Sequence, residues 1–198
     1  MGRVDGKVAI VTGSGNGQGK AEAKLLSQEG AQVVVADIRE EDGKNVAAEI
    51  NSSGGDAIFV SLDVTNEDSW KACIDQAVAR FGKLDILVNN AGISSSSFED
   101  TMSVDGFDRL IEVNTRGVFL GIKHALDKMI AAGGGSIVNI SSTSGLVGSA
   151  GGHPGYNASK GAVRLLSKAI AVKYGPQGIR CNSVHPGRMP MMISWVQR

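Results

Sequence analysis

The chain has 198 residues, 42% apolar and 20% charged, proportions that suit one folded domain around a single core and exclude a disordered, collagen-like or membrane-bundle chain. Its 20 Lys and Arg offset 20 Asp and Glu, so net charge offers no pull towards nucleic acid or an anionic bilayer, and neither is expected as a partner. No apolar run approaches the roughly 18 residues of a membrane span and no signal segment opens the chain, which predicts a cytoplasmic protein.

Short β-branched runs alternate with longer helical stretches along the chain. Strands are predicted over 7–11, 32–36, 57–61, 85–89, 136–140 and 179–184, and helices near 18–29, 40–52, 67–80, 104–131 and 155–174. Thr65 and Thr101 are read as start signals for the third and fourth helices. This alternation builds βαβ units, so the expected fold is α/β: one domain, a doubly wound parallel sheet with helices on both faces. Ligands of such sheets bind beyond the carboxyl ends of the strands, and each of the following motifs falls at such an end.

After the first strand, Gly13, Gly17 and Gly19 give the spacing G-x-x-x-G-x-G and lead directly into a helix. Glycines allow a tight turn and close backbone approach, and the N–H groups of a helix N-terminus suit the negative charge of a pyrophosphate. The chain holds 27 glycines, about twice the usual share of roughly 7%, which itself points to close backbone packing. Asp37 ends the second strand 24 residues beyond Gly13, where an acid accepts hydrogen bonds from an adenosine ribose and repels a 2′-phosphate. With no basic side chain at Ser14, Gly15 or Asn16, NAD is expected over NADP, and Arg39 is the opposing feature. After the third strand, Asp63 and Val64 are read either as a contact to adenine or as an ordinary loop acid and its neighbour. Asn89, Asn90, Ala91 and Gly92 follow the fourth strand: two amides able to tie strands together, then two tiny residues that make room for a cofactor.

Tyr156 and Lys160 stand at i and i+4 on one helical face, where an ammonium favours the phenolate and brings its pKa towards a useful general acid/base. Ser142 at the end of the fifth strand and Asn114 inside a helical stretch bring a hydroxyl and an amide to the same sheet edge.

These residues together resemble the short-chain dehydrogenase/reductase family of single-domain Rossmann oxidoreductases, from about Lys7 to Gly187. The resemblance rests on T-G-x-x-x-G-x-G from Thr12 to Gly19, N-N-A-G from Asn89 to Gly92, Asn114 of V-N-x-x-G, Ser142 of S-x-x-G, Tyr156 and Lys160 of Y-x-x-x-K, and Pro186-Gly187. It implies Asn114, Ser142, Tyr156 and Lys160 as the catalytic set. Tyr156 would exchange a proton with the substrate oxygen and Ser142 donate a hydrogen bond to it, while Lys160 lowers the Tyr156 pKa and holds the nicotinamide ribose. Asn114 would position a water linking Lys160 to solvent. The S-x-x-G register selects Ser142 over Ser141, because adjacent strand residues point to opposite faces. The same resemblance implies cofactor contacts from Gly13, Asn16, Gly17, Gln18 and Gly19 in the loop, and from Asp37, Asp63, Val64, Asn90, Ala91 and Gly92 beyond it. Tyr156, Lys160, Pro186, Gly187 and Met189 complete that set.

The expected activity is hydride transfer between NAD(H) and a small-molecule secondary alcohol or ketone, in a homo-oligomer paired through the helices carrying Asn114 and Tyr156. The rivals are an NADP-linked ketone or acyl-thioester reductase and a catalytically silent dinucleotide-binding protein. Gln18 replaces an aliphatic residue of the family, and Met191 stands where a Thr is usual. The domain is expected over 1–188, with 189–198 a divergent tail in place of a further strand and helix, leaving the sixth strand as an edge prone to association and the chain weakly active. Cys73 and Cys181 are read as buried apolar residues, and His124, His153 and His185 as residues with core, helix-surface and loop roles and no metal-ligand spacing, so no metal is expected. His153 is also a candidate substrate contact because of its nearness to Tyr156.

Overall fold

The computed structural model describes residues 2–187. Six parallel strands, β1 (Val8–Thr12), β2 (Gln32–Asp37), β3 (Asp56–Ser61), β4 (Ile86–Asn89), β5 (Gly135–Ile140) and β6 (Ile179–Val184), lie in the order β3-β2-β1-β4-β5-β6. Each predicted strand is present to within a residue or two. The chain order reverses between β1 and β4, which opens a crevice beyond their carboxyl ends.

Period-two alternation assigns the two faces of the sheet. Ile10, Val34, Leu87 and Ile137 enter one core with α3 (Glu67–Phe81), α5 (Gly117–Ala131) and α6 (Pro154–Tyr174), around the fully buried Trp70. Their neighbours Ala9, Val11, Val33, Val35, Ile86 and Val88 enter the other with α1 (Gly17–Gln28) and α2 (Glu40–Ser52). Strands buried on both faces must be nearly all apolar, as β1 and β2 are. Among the described residues β6 ends the sheet, with Val184 45% exposed. Among them too, no helix is long and apolar enough to cross a membrane.

Three sequence expectations need correction. The stretch 104–131 is not one helix: α4 (Val104–Ile111) and α5 are separated by a π-helical turn at Glu112–Arg116, with the fully buried Asn114 at its centre. A polar side chain that must reach sideways to a neighbouring loop is accommodated by the wider turn. The caps of α3 and α4 are Asn66 and Ser103, not Thr65 and Thr101, because Asn66 and Ser103 accept from the N–H groups of Ser69 and Gly106. Thr65 instead donates to Asp63 through both its N–H and its hydroxyl.

Candidate active site

The glycine loop between β1 and α1 is drawn tightly onto the strand ends. Gly13 has φ +63° and a Cβ there would stand 2.9 Å from the Ala91 Cα. A Cβ on Gly19 would overlap the Gly13 carbonyl oxygen and crowd the Asn90 amide. Gly17, at φ +53°, faces open space where its Cβ would be, so the loop is packed on its inner side and hollow on its outer side. Such a cradle fits a pyrophosphate approaching backbone N–H groups at the start of α1. Asn90 ties this loop to β4, its Nδ2 donating to the carbonyls of Thr12 (2.8 Å) and Gly13 (3.2 Å). The Thr12 hydroxyl accepts from the N–H groups of both Asn90 and Ala91 at 3.0 Å. Strand-tying by an amide of this motif is therefore present.

Asp37, 5% exposed, accepts from the Gly15 N–H at 2.8 Å and the Arg39 N–H at 2.9 Å, so its carboxylate is fixed at the mouth of the loop. The Arg39 guanidinium lies against acids, its Nε 3.7 Å from Asp37 and its Nη1 3.1 Å from Asp42. Asp63 is occupied in part by the Thr65 turn, and Val64 packs against Gly117 at the start of α5. Gln18 donates to Glu22 at 2.8 Å, and burial holds that carboxyl above the usual range against the opposing pull of Gln18.

Across the crevice, Lys160 is 4% exposed and its Nζ donates to the Ile140 carbonyl at 2.8 Å. Burial pulls its pKa down to about 8. Tyr156, one helical turn earlier, has its ring centroid 5.8 Å from that Nζ. Burial raises the phenol above its ordinary value and a hydrogen bond with Ser142 opposes the rise. Ser142 accepts from the Ser144 N–H at 3.1 Å, whereas the Ser141 hydroxyl is turned away to the Lys160 carbonyl at 2.7 Å, so the register argument chose the serine that faces Tyr156.

The Asn114 amide embraces Ile93, accepting from its N–H (2.8 Å) and donating to its carbonyl (3.0 Å) and to the Ser159 hydroxyl (3.2 Å). A Cβ on Gly92 would stand 3.0 Å from Asn114 Oδ1 and 3.4 Å from Lys160 Nζ, so N-N-A-G meets the candidate catalytic group at this glycine. Pro186 accepts from the Thr143 N–H at 3.0 Å, which brings Pro186-Gly187 beside the Ser142 turn. Met189, and Met191 with the rest of the expected tail, lie outside the described residues.

Both ring nitrogens of His153, the candidate substrate contact, have partners within the fold. The residue is buried, its Nδ1 accepts from the Gly155 N–H at the start of α6 and its Nε2 lies 2.9 Å from the carbonyl of Ser103, the cap of α4, so its two nitrogens link the starts of these helices. Sequence reasoning also missed Asn139, which accepts from Asn89 Nδ2 at 2.8 Å and donates to the Ser167 hydroxyl at 2.9 Å and to the Cys181 sulfur at 3.4 Å. A polar residue inside an apolar strand, and a serine seven positions after Lys160 on the same helix face, were the signals for that network. Burial pushes the thiols of Cys73 and Cys181 up to about 12 and about 11, consistent with two apolar, unreactive cysteines.

The short chain dehydrogenase family profile matches residues 7–194. The chain belongs to the short-chain dehydrogenase/reductase family. It is 49% identical over 187 residues to cyclopentanol dehydrogenase from Comamonas testosteroni, covering 94% of this chain and 74% of that relative. It is 45% identical over 192 residues to 2,5-dichloro-2,5-cyclohexadiene-1,4-diol dehydrogenase LinX from Sphingobium indicum, covering 97% and 76%. The crystal structure of a short-chain type dehydrogenase/reductase from Mycobacterium marinum superposes with a TM-score of 0.89 at 38% identity, over 96% of this chain and 78% of that one. The chain thus spans about three-quarters of the length of these short-chain dehydrogenases. Dehydrogenases as relatives support oxidoreductase activity, and the family works with a nicotinamide dinucleotide.

Proposed function

We propose that this chain interconverts a secondary alcohol borne on a carbon ring with its ketone, using NAD in preference to NADP and Tyr156 as the proton carrier. The observation that carries the reading is the meeting of Tyr156, Ser142 and Lys160 at one strand edge, facing a glycine cradle with a fixed Asp37 at its far end. The ring comes from the relatives, two of which are named for cyclic alcohols.

When bound, the nicotinamide supplies the hydride acceptor or donor that no side chain offers. Everything else falls to the chain. In oxidation Tyr156, as phenolate, takes the hydroxyl proton, and Ser142 donates to the same oxygen to fix it in line. Lys160 supplies the positive charge that makes the phenolate accessible, and with a pKa of about 8 it keeps that charge at neutral pH. Asn114 holds the Ile93 loop and Ser159 beneath Lys160 and orders the path by which a proton passes to solvent. Gly13, Asn16, Gly17, Gln18 and Gly19 take the pyrophosphate side of the dinucleotide, with Asp63 and Val64 towards adenine and Asn90, Ala91, Gly92, Pro186 and Gly187 towards nicotinamide. Asp37 receives the ribose hydroxyls and repels a 2′-phosphate, while the acids beside Arg39 answer its charge. Copies of the chain pair through α5 and α6, whose Phe119, Leu165 and Val172 are 48%, 68% and 81% exposed.

The test is nicotinamide absorbance with NAD+ and NADP+ across cyclic and open-chain secondary alcohols. Faster turnover with NADP+, or none with any cyclic alcohol, overturns the proposal.

A further inference from the structure

The residue directly after Tyr156 is tied to the other candidate catalytic loop. Asn157 Nδ2 donates to the Ser144 carbonyl at 2.9 Å and to the Val147 carbonyl at 3.2 Å, and its Oδ1 accepts from the Ser149 hydroxyl at 3.0 Å. All three bonds close on the segment that begins at Ser142, whose own hydroxyl caps the short turn Thr143–Gly145. Beneath, the segment is pressed onto α6: a Cβ on Gly145 would stand 2.7 Å from both the Lys160 carbonyl and the Ser141 hydroxyl. Above, it presents Leu146 and Val147, 47% and 67% exposed, as large apolar side chains four and five residues beyond Ser142.

We infer that Asn157 is a positioning residue that sets alcohol specificity by clamping the 143–149 segment to the first turn of α6. The inference rests on the proposed reaction for its substrate side. A single carboxamide reaches two carbonyls and a hydroxyl spread over six residues, so the place of Leu146 and Val147 relative to the Tyr156 oxygen depends on it. Small shifts of an apolar wall discriminate between ring sizes, while Lys160, held to the Ile140 carbonyl and by the Ser141 hydroxyl outside the segment, stays in register.

Two readouts on Asn157→Asp test it. Aspartate keeps the acceptor for Ser149 but turns a donor into an anion facing two carbonyls. Hydrogen exchange at the Gly145, Leu146 and Val147 amides, which bond within the turn, is expected to quicken by about tenfold. The kcat/KM ratio between cyclopentanol and a fused-ring alcohol is expected to shift by about tenfold, carried by KM, with NADH affinity unchanged. Ser149→Ala, which removes one bond at an exposed position, should move both readouts in the same direction by about threefold, and it decides the matter if Asn157→Asp does not fold. Unchanged exchange overturns the clamp. Quickened exchange with an unchanged ratio overturns the specificity role. If the wild-type chain turns over no alcohol, the proposed reaction and the specificity role fail together, while exchange still decides whether Asn157 is the clamp.

Discussion

Beneath β1, β2 and β3 the core is aliphatic, and its buried polar residues Thr12, Ser14 and Asp37 all bond to backbone at the carboxyl ends of the strands. Beneath β4, β5 and β6 lies a connected set of buried polar side chains, in which Asn89, Asn139 and Ser167 form one chain of bonds and Asn114 and Ser159 another. The first half presents backbone and empty space, which suits recognition of a dinucleotide whose own groups do the chemistry. The second half must hold an ammonium, a phenol and a hydroxyl in fixed relation inside a low-dielectric interior, and hydrogen bonds between its buried polar side chains do so, although Asn89 Oδ1 has no partner.

The sharpest way to separate the halves is Tyr156→Phe. It keeps the ring and deletes the proton carrier, so turnover should fall by about 10²–10⁴ while dinucleotide affinity, measured by fluorescence titration, stays near wild type. Retention of more than about a tenth of the rate would move the proton-transfer role elsewhere.

The next pair sets one half against the other in stability. Asn139→Ala strands Asn89 Nδ2 in the interior and removes the donor to the Ser167 hydroxyl, and urea unfolding should show a loss of about 1–3 kcal/mol. Gly19→Ala forces a Cβ onto the Gly13 carbonyl, with a cost of about 1–3 kcal/mol from overpacking and, unlike Asn139→Ala, a loss of dinucleotide binding. Equal effects of both variants on binding would erase the division.

Asp37→Ser acts only on the recognition half. It should shift preference from NAD towards NADP by about tenfold or more, about 1.4 kcal/mol, and free Arg39 from one of its acids. Unaltered relative affinities would remove Asp37 from the adenosine side.

The smallest effect is electrostatic. Lys160 has a folded pKa of about 8 against an ordinary 10.5, so between those values the unfolded chain binds the proton more tightly and this group's contribution to stability rises with pH. Thermal melts of wild type and Lys160→Met should therefore converge or cross in favour of wild type as pH climbs from 8 to 10. A constant gap would mean that Lys160 is not buried as a cation.

Much of this was legible before any coordinates. Strand positions followed from β-branched runs, because a doubly covered parallel strand has no polar option. The glycine loop and Asp37 followed from spacing, because the turn and the strand end are set locally. Ser142 was separated from Ser141 by the S-x-x-G register, with strand alternation allowing only one of the two to face the crevice. The π-helical turn was hidden: the apolar periodicity of 104–131 continues through it, and the cause is a bond from Asn114 to Ile93, 21 positions away. His153 looked available because it is near Tyr156 in sequence, yet the Ser103 carbonyl that occupies it is 50 positions distant.

The sequence by itself determined the alternation of elements, the parallel sheet and the residues gathered at its carboxyl edge, since these depend on side-chain periodicity and on turns a few residues long. Only the tertiary structure decided which polar groups face the crevice and which are spent inside: Asn139 on Ser167, Asn157 on the 143–149 segment, Lys160 on Ile140. It also decided how burial pushes the Tyr156 phenol up against the pull of Ser142, because desolvation depends on everything packed around a group.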